Sequence, residues 1–207
     1  MRFYGKEKQD KFAYYLIGPE GVFLDIGCYN PVIGNNTKGL EEAGWTGLLF
    51  DSKPEWIDMA KRIRKNKSFC VDTTSEEFTT ILNENLKNKL VDYISLDVDE
   101  ASIETLDIVV KSGVSFKCMT FEHCLFFEPN QKRLSKEILE KNGYTILFEN
   151  VLVDLSHDGY ETLQPFEDWW IDTKYFKDDI LDLRSEGLYF EECVQKVMGY
   201  NYANRQK

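Results

Sequence analysis

Residues 21–51, GVFLDIGCYNPVIGNNTKGLEEAGWTGLLFD, constrain this chain more than any other stretch. An apolar run, Val22-Phe23-Leu24, ends in Asp25 and Gly27. A loop rich in Gly and Asn follows, and Asn36-Thr37 can cap a short helix that Gly44 stops. A second apolar run, Gly47 to Phe50, closes on Asp51. Strand, small-residue turn, helix, strand and acid in that order predict the opening of an open parallel sheet. Ligands of such sheets bind beyond the carboxyl ends of the strands.

The rest of the chain repeats the pattern. A helix over about 6–17 puts Phe12, Tyr15 and Leu16 on one face. Further strands are predicted at about 68–71, 90–96 and 116–121, with helices between them. Residues 144–154 read as two strand-like pieces forming an antiparallel edge pair, and the pattern weakens from about 157 onward. The expectation is one α/β domain over 1–207: a doubly wound, mostly parallel sheet with helices on both faces and an antiparallel edge strand. Residues 172–207 read as a helical extension acting as a lid or a homodimer contact.

Composition narrows the function classes. A hydrophobic fraction of 43% supports a substantial core. A net charge of -11 argues against general nucleic-acid binding, which needs a surplus of Lys and Arg. The one dense basic run, Lys61 to Lys67, reads as the solvated end of a helix. The five cysteines (28, 70, 118, 124 and 193) show no CxxC spacing and fit a reducing compartment. No apolar run reaches membrane-spanning length, so a cytoplasmic protein with no membrane partner is expected.

Five successive predicted strands end in Asp25, Asp51, Asp72, Asp97 and Glu122. Right-handed crossovers bring those ends to one edge of the sheet. Asp51 follows Asp25 at about the distance at which such sites place a ribose-binding acid. The loop between them lacks G-x-G-x-x-G, and a carboxylate before Gly27 would oppose a pyrophosphate. An acid there suits a ligand with a positive centre.

These residues resemble FkbM-like S-adenosylmethionine-dependent methyltransferases. The likeness covers about residues 20–171. It rests on Asp25-Ile26-Gly27, Asn35-Asn36-Thr37, the run from Leu40 to Gly47, Asp51, the segment Val91 to Asp99, Thr120 to His123, and Phe166 to Trp170. It implies a Rossmann-like class I methyltransferase that uses S-adenosylmethionine. The implied acceptor is a small-molecule or carbohydrate hydroxyl. By the resemblance, Asp25, Gly27 and Asn36 hold the methionine end of the cofactor, Asp51 the ribose and Asp72 the adenine amino group. Asp97 and Asp99 lie near the reacting sulfonium.

A hydroxyl acceptor calls for a general base. His123 is the candidate, and Asp97 is its rival. Successive strand residues face opposite sides, so Glu122 then serves structure. Trp169 and Trp170 read either as a cap on the core or as a stacking wall for the acceptor. No metal is expected; a divalent ion on Asp97, Asp99 and Glu100 is the alternative use of those acids. Relatives read Asp-Val-Glu-Gly-Ala-Glu where this chain has Asp97-Val98-Asp99-Glu100-Ala101-Ser102. That departure motivates a second expectation, a catalytically impaired S-adenosylmethionine-binding protein.

Overall fold

The computed structural model describes residues 1–87, 89–123, 129–156, 159–160 and 162–205. Cys124 lies outside the described residues. The strands are β1 (Val22–Ile26), β2 (Thr46–Asp51), β3 (Lys67–Cys70), β4 (Leu90–Leu96), β5 (Ser115–Glu122), β6 (Thr145–Val153), β7 (Gln164–Ile171) and β8 (Ser185–Glu186). The helices are α1 (Gln9–Ile17), α2 (Lys38–Ala43), α3 (Pro54–Ile63), α4 (Glu76–Leu86), α5 (Ser102–Lys111), α6 (Pro129–Lys141) and α7 (Phe190–Arg205). One sheet runs in the order β3-β2-β1-β4-β5-β7-β6-β8. β1 to β5 pair in parallel, and β7 inserts antiparallel between β5 and β6.

Local chemistry sets the boundaries. Pro54 opens α3, where its missing N–H costs nothing, and Lys61 and Arg62 occupy the last turn. Ser75 Oγ accepts from Phe78 N at 3.2 Å and caps α4. Gly44, in the left-handed conformation at φ +110, ends α2 so that the chain can turn into β2.

Both faces of the sheet are buried, as parallel sheets require. One core holds Phe12 of α1, Tyr93, Phe148 and Trp169. The other holds Phe50, Phe78, Leu106, Phe116 and Trp170. α7 adds Cys193, Val194 and Val197 to the first core, so the segment read as an extension is partly core. Among the described residues no helix is long and apolar enough to cross a membrane.

Three expectations change. Residues 144–154 are not a hairpin: they hold the single strand β6, whose pairing with β7 has register shifts near Asn150 (φ +54). These irregularities break its period-2 pattern in the sequence. The partner strand is 164–171, obscured in the sequence by the buried acids Glu167 and Asp168. The first helix starts at Gln9, not near 6, because Lys8 adopts φ +62 and Asp10 Oδ2 accepts the N–H groups of Tyr4 and Gly5. Gly5 then bridges to Gly34, so the N-terminal segment is tied to the loop after β1.

Candidate functional site

A cavity of about 880 Å³ opens over the carboxyl edge of the sheet. Asp25, Gly27, Asn36, Asp51, Asp72, Asp97 and Asp99 all line it. Four of the five predicted strand-end acids, Asp25, Asp51, Asp72 and Asp97, thus meet here with Gly27, Asn36 and Asp99, the residues the family resemblance added, while Glu122 does not line the cavity. The strand order explains why: the exits of β3, β2, β1 and β4 lie side by side.

Asp25 lies inside β1 and is 2% exposed. Its Oδ2 accepts from Thr37 Oγ1 at 2.6 Å and from Asn35 Nδ2 at 3.1 Å. Burial nevertheless pushes its carboxyl above the usual range. Asn35 is the hub of the loop. Its Oδ1 accepts from Thr37 N, Lys38 N and Arg64 Nη1, while Thr37 itself makes no side-chain cap. The α2 cap is thus supplied by Asn35 rather than by Asn36 or Thr37.

Arg64 closes this network. Its buried guanidinium donates to Glu41 Oε1 at 3.0 Å, Thr37 Oγ1 at 3.0 Å and the Pro31 carbonyl at 3.2 Å, besides Asn35. The basic run read as a solvated helix end therefore conceals one buried residue that braces the site loop. No feature of Lys61 to Lys67 distinguishes Arg64 in the sequence except its position just past the helix, in extended backbone.

Gly27 is fixed by packing. Its φ is +86, and a Cβ there would sit 1.7 Å from the Asp97 carbonyl oxygen. Backbone from β1 and β4 meets at this point, and only glycine fits. Asn36 donates from Nδ2 to Ser95 Oγ at 3.0 Å. Asp51 accepts Tyr29 N on Oδ2 and Lys53 N on Oδ1, both at 2.8 Å. Asp72 is exposed, and its Oδ1 accepts the N–H and hydroxyl of Thr74, which hold its carboxyl below the usual range.

Asp97 follows β4 and hydrogen-bonds Glu122 at the end of β5. Burial pushes its carboxyl up, and the nearby Asp99 and Asp51 act in the same direction. Two carboxyls that share a hydrogen bond must hold a proton between them. Asp99 adopts φ +50, and its carbonyl accepts from Gln131 Nε2 at 2.8 Å.

His123 is not brought to the cavity. It is fully buried, and its Nε2 lies 3.5 Å from Asp168 Oδ1 on the α6 side of the sheet. Glu122, on the opposite face from His123, does not line the cavity either, but it hydrogen-bonds Asp97, which does. Trp169 and Trp170 are both fully buried, one in each core, and neither lines the cavity. They cap the two faces of the sheet; a stacking wall would need an exposed ring.

Sequence reasoning missed the far wall. The segment from Tyr4 to Gln9 lines the cavity, because the turn at Lys8 carries it back over the edge of the sheet. Phe166 of β7 joins it. Among the described residues no group of three His, Cys, Asp or Glu is placed to hold a metal ion.

No family model matches the chain, and no curated protein matches it in sequence. Solved structures do. A Clostridium thermocellum protein provisionally named an rRNA-methylase is 12% identical with a TM-score of 0.55, over 83% of this chain and 97% of that one. The fold is that of the class I methyltransferases. Precorrin-6y C5,15-methyltransferase of Geobacter metallireducens is 16% identical with a TM-score of 0.51, over 80% and 86% of the two chains. Human methyltransferase-like protein 13, solved in complex with S-adenosylhomocysteine, is 12% identical with a TM-score of 0.51, over 94% and 89%. At these identities the likeness is one of fold.

Proposed function

We infer that the chain binds S-adenosylmethionine in this cavity and methylates a small-molecule acceptor at a hydroxyl. The observation that carries the reading is the ordered row Asp72, Asp51, Gly27 and Asp97 along one cavity, on neighbouring strands of a methyltransferase fold. The motifs that resemble FkbM-like enzymes fall on the same strand ends.

The residues present suit that cofactor. Each carboxylate oxygen of Asp51 accepts one backbone N–H and keeps a lone pair for a ribose hydroxyl. Asp72 has Oδ2 left to accept an adenine amino group once Oδ1 is held by Thr74. Gly27 and Asn36 border the space for the methionine end, and Asp25 braces the loop beneath it. When bound, S-adenosylmethionine supplies a methyl group activated by a sulfonium.

The chain's own part is alignment and proton management. A hydroxyl acceptor must lose its proton as it gains the methyl. Asp97 lines the cavity and hydrogen-bonds Glu122, and burial holds its carboxyl above the ordinary value, which makes it a stronger base. His123 lacks the required reach. Asp97→Asn and Glu122→Gln should therefore lower turnover of labelled S-adenosylmethionine at least about 100-fold, with a much smaller change in S-adenosylhomocysteine affinity. His123→Gln should move neither limb of the pH–rate profile. A profile that loses a limb in His123→Gln would return the role to the histidine.

A second reading, cofactor binding without transfer, is favoured by Asp99 at φ +50 in the segment where the chain departs from its relatives' pattern. Retained S-adenosylhomocysteine binding with no product from any hydroxyl acceptor would select it.

A further inference from the structure

Beyond β4, the cavity is walled by Phe166 of β7 and the N-terminal segment Tyr4 to Gln9, away from the residues assigned to adenine and ribose. Carboxyls gather there. Glu122 and Glu167 are direct partners across the antiparallel β5–β7 ladder, an arrangement that like charges disfavour. Glu122 hydrogen-bonds Asp97. Glu167, 2% exposed, and Glu7, 8% exposed, flank the amide of Gln9, whose Nε2 is 3.4 Å from an oxygen of each. Among the described residues, the cation within ion-pair distance of Glu7, Asp97 or Glu167 is Lys6, 3.7 Å from Glu7 and 56% exposed. An exposed pair of that kind neutralises little.

Gln9 is the independent observation. It lines the cavity and is 3% exposed, yet its Oε1 has no hydrogen-bond donor. That oxygen and Asn36 Oδ1, which also lacks a donor, both lie 3.1 Å from the point where a Gly5 side chain would begin. Gly5 and Asn36 are themselves cavity residues. Lys6 and Lys8 line the outer part of this wall, but the buried amide oxygens of Gln9 and Asn36 receive no donor among the described residues. Buried acceptors left in that state are costly, so the arrangement anticipates a ligand that brings N–H groups.

The cofactor's ammonium brings up to three N–H donors, fewer than the acceptors gathered here: the amide oxygens of Asn36 and Gln9 and the carboxyls of Glu7 and Glu167. We propose that the acceptor carries a protonated amine, held between Glu7 and Gln9 Oε1 with Glu167 behind them. The inference rests on the methyltransferase reading and adds the acceptor's class: an amine-bearing small molecule. Burial pushes the Glu7 and Glu167 carboxyls up, and an ammonium beside them would draw both back toward the charged form.

The test is calorimetric titration with S-adenosylhomocysteine saturating, using matched probes: glucosamine against glucose, and putrescine against 1,4-butanediol. At least one amine should bind about tenfold tighter than its neutral partner, the usual scale for a charge-assisted hydrogen bond. Glu7→Gln and Glu167→Gln should each remove most of that preference; both keep side-chain shape, and either alone suffices. Equal binding within both pairs, absence of amine binding, or a preference that survives both variants would overturn the inference. So would the finding that Glu7→Gln instead abolishes discrimination between S-adenosylhomocysteine and its desamino analogue, which would place the acids on the cofactor. If S-adenosylhomocysteine itself fails to bind, the cofactor reading falls, and this one with it.

Discussion

Two buried polar networks flank the exit of β1, and they are built on opposite principles. On one side Asp25, Asn35, Thr37, Glu41 and Arg64 form a set in which charges of both signs meet and each carboxylate receives donors. On the other side Glu7 and Glu167 share the single amide of Gln9, and the charge of Asp97 is near enough to act on both. The first network is closed and needs nothing further. The second is open and faces a cavity. Satisfied buried networks specify structure; those left short of partners mark where a ligand completes them.

The contrast can be broken most sharply at Arg64. Arg64→Ala would strip a buried, multiply bonded cation from Asn35, Thr37 and Glu41, leaving Glu41 only Lys38 at 3.8 Å and the donors of Lys65 and Asn66. We expect a loss of about 3–5 kcal/mol in urea unfolding, the usual cost of removing one partner from a buried pair. A loss below about 1 kcal/mol would mean that the network behaves as a surface pair does.

Gly27→Ala tests the seam between the two networks. The added Cβ meets the Asp97 carbonyl, so the backbones of β1 and β4 must part. Overpacking of that kind costs about 1–3 kcal/mol, and cofactor affinity should fall with it, because the seam borders the cavity. Destabilisation without loss of S-adenosylhomocysteine binding would detach Gly27 from the site.

The smallest effect comes from the open network. Glu167 holds its proton above the ordinary carboxyl value of 4.5, chiefly through burial. The folded chain therefore keeps a proton that the unfolded chain releases. That contribution is fully present below about pH 4.5 and is lost as pH rises through the raised folded value. Asp97 and Glu7 act in the same sense. Glu41 and Asp72, whose carboxyls are held low by their partners, act oppositely, and only when the pH falls below their ordinary values. The ligand-free protein should thus lose stability as the pH rises above about 4.5, and Glu167→Gln should flatten that slope. A slope unchanged in the variant would remove Glu167 from the account.

The strand exits that line the cavity were largely legible in the sequence, whereas the closed network was not: neither Arg64 nor Asn35 announced its role. Apolar runs ending in acids at regular intervals fix where strands exit, and the crossover rule places those exits together; Asp51, Asp72 and Asp97 follow. The open half was not legible, for identifiable reasons. Lys8 takes a left-handed turn that no residue preference announces, so the segment before α1 read as helix instead of cavity wall. β7 carries two buried acids, Glu167 and Asp168, and did not read as an interior strand. His123 and Glu122 show how narrow the margin is: a choice of face is a one-residue matter, and it decided which side chain hydrogen-bonds Asp97. Arg64 illustrates a third limit, since a charged run gives no sign of which member is buried.

The central claim is that the row of acids binds S-adenosylmethionine, and thermal unfolding with the demethylated product tests it most directly. S-adenosylhomocysteine at about 100 times its dissociation constant should stabilise the protein by about 2.7 kcal/mol, NAD should not, and Asp51→Ala should abolish the gain. No stabilisation by S-adenosylhomocysteine, or a gain that persists in Asp51→Ala, would contradict the account.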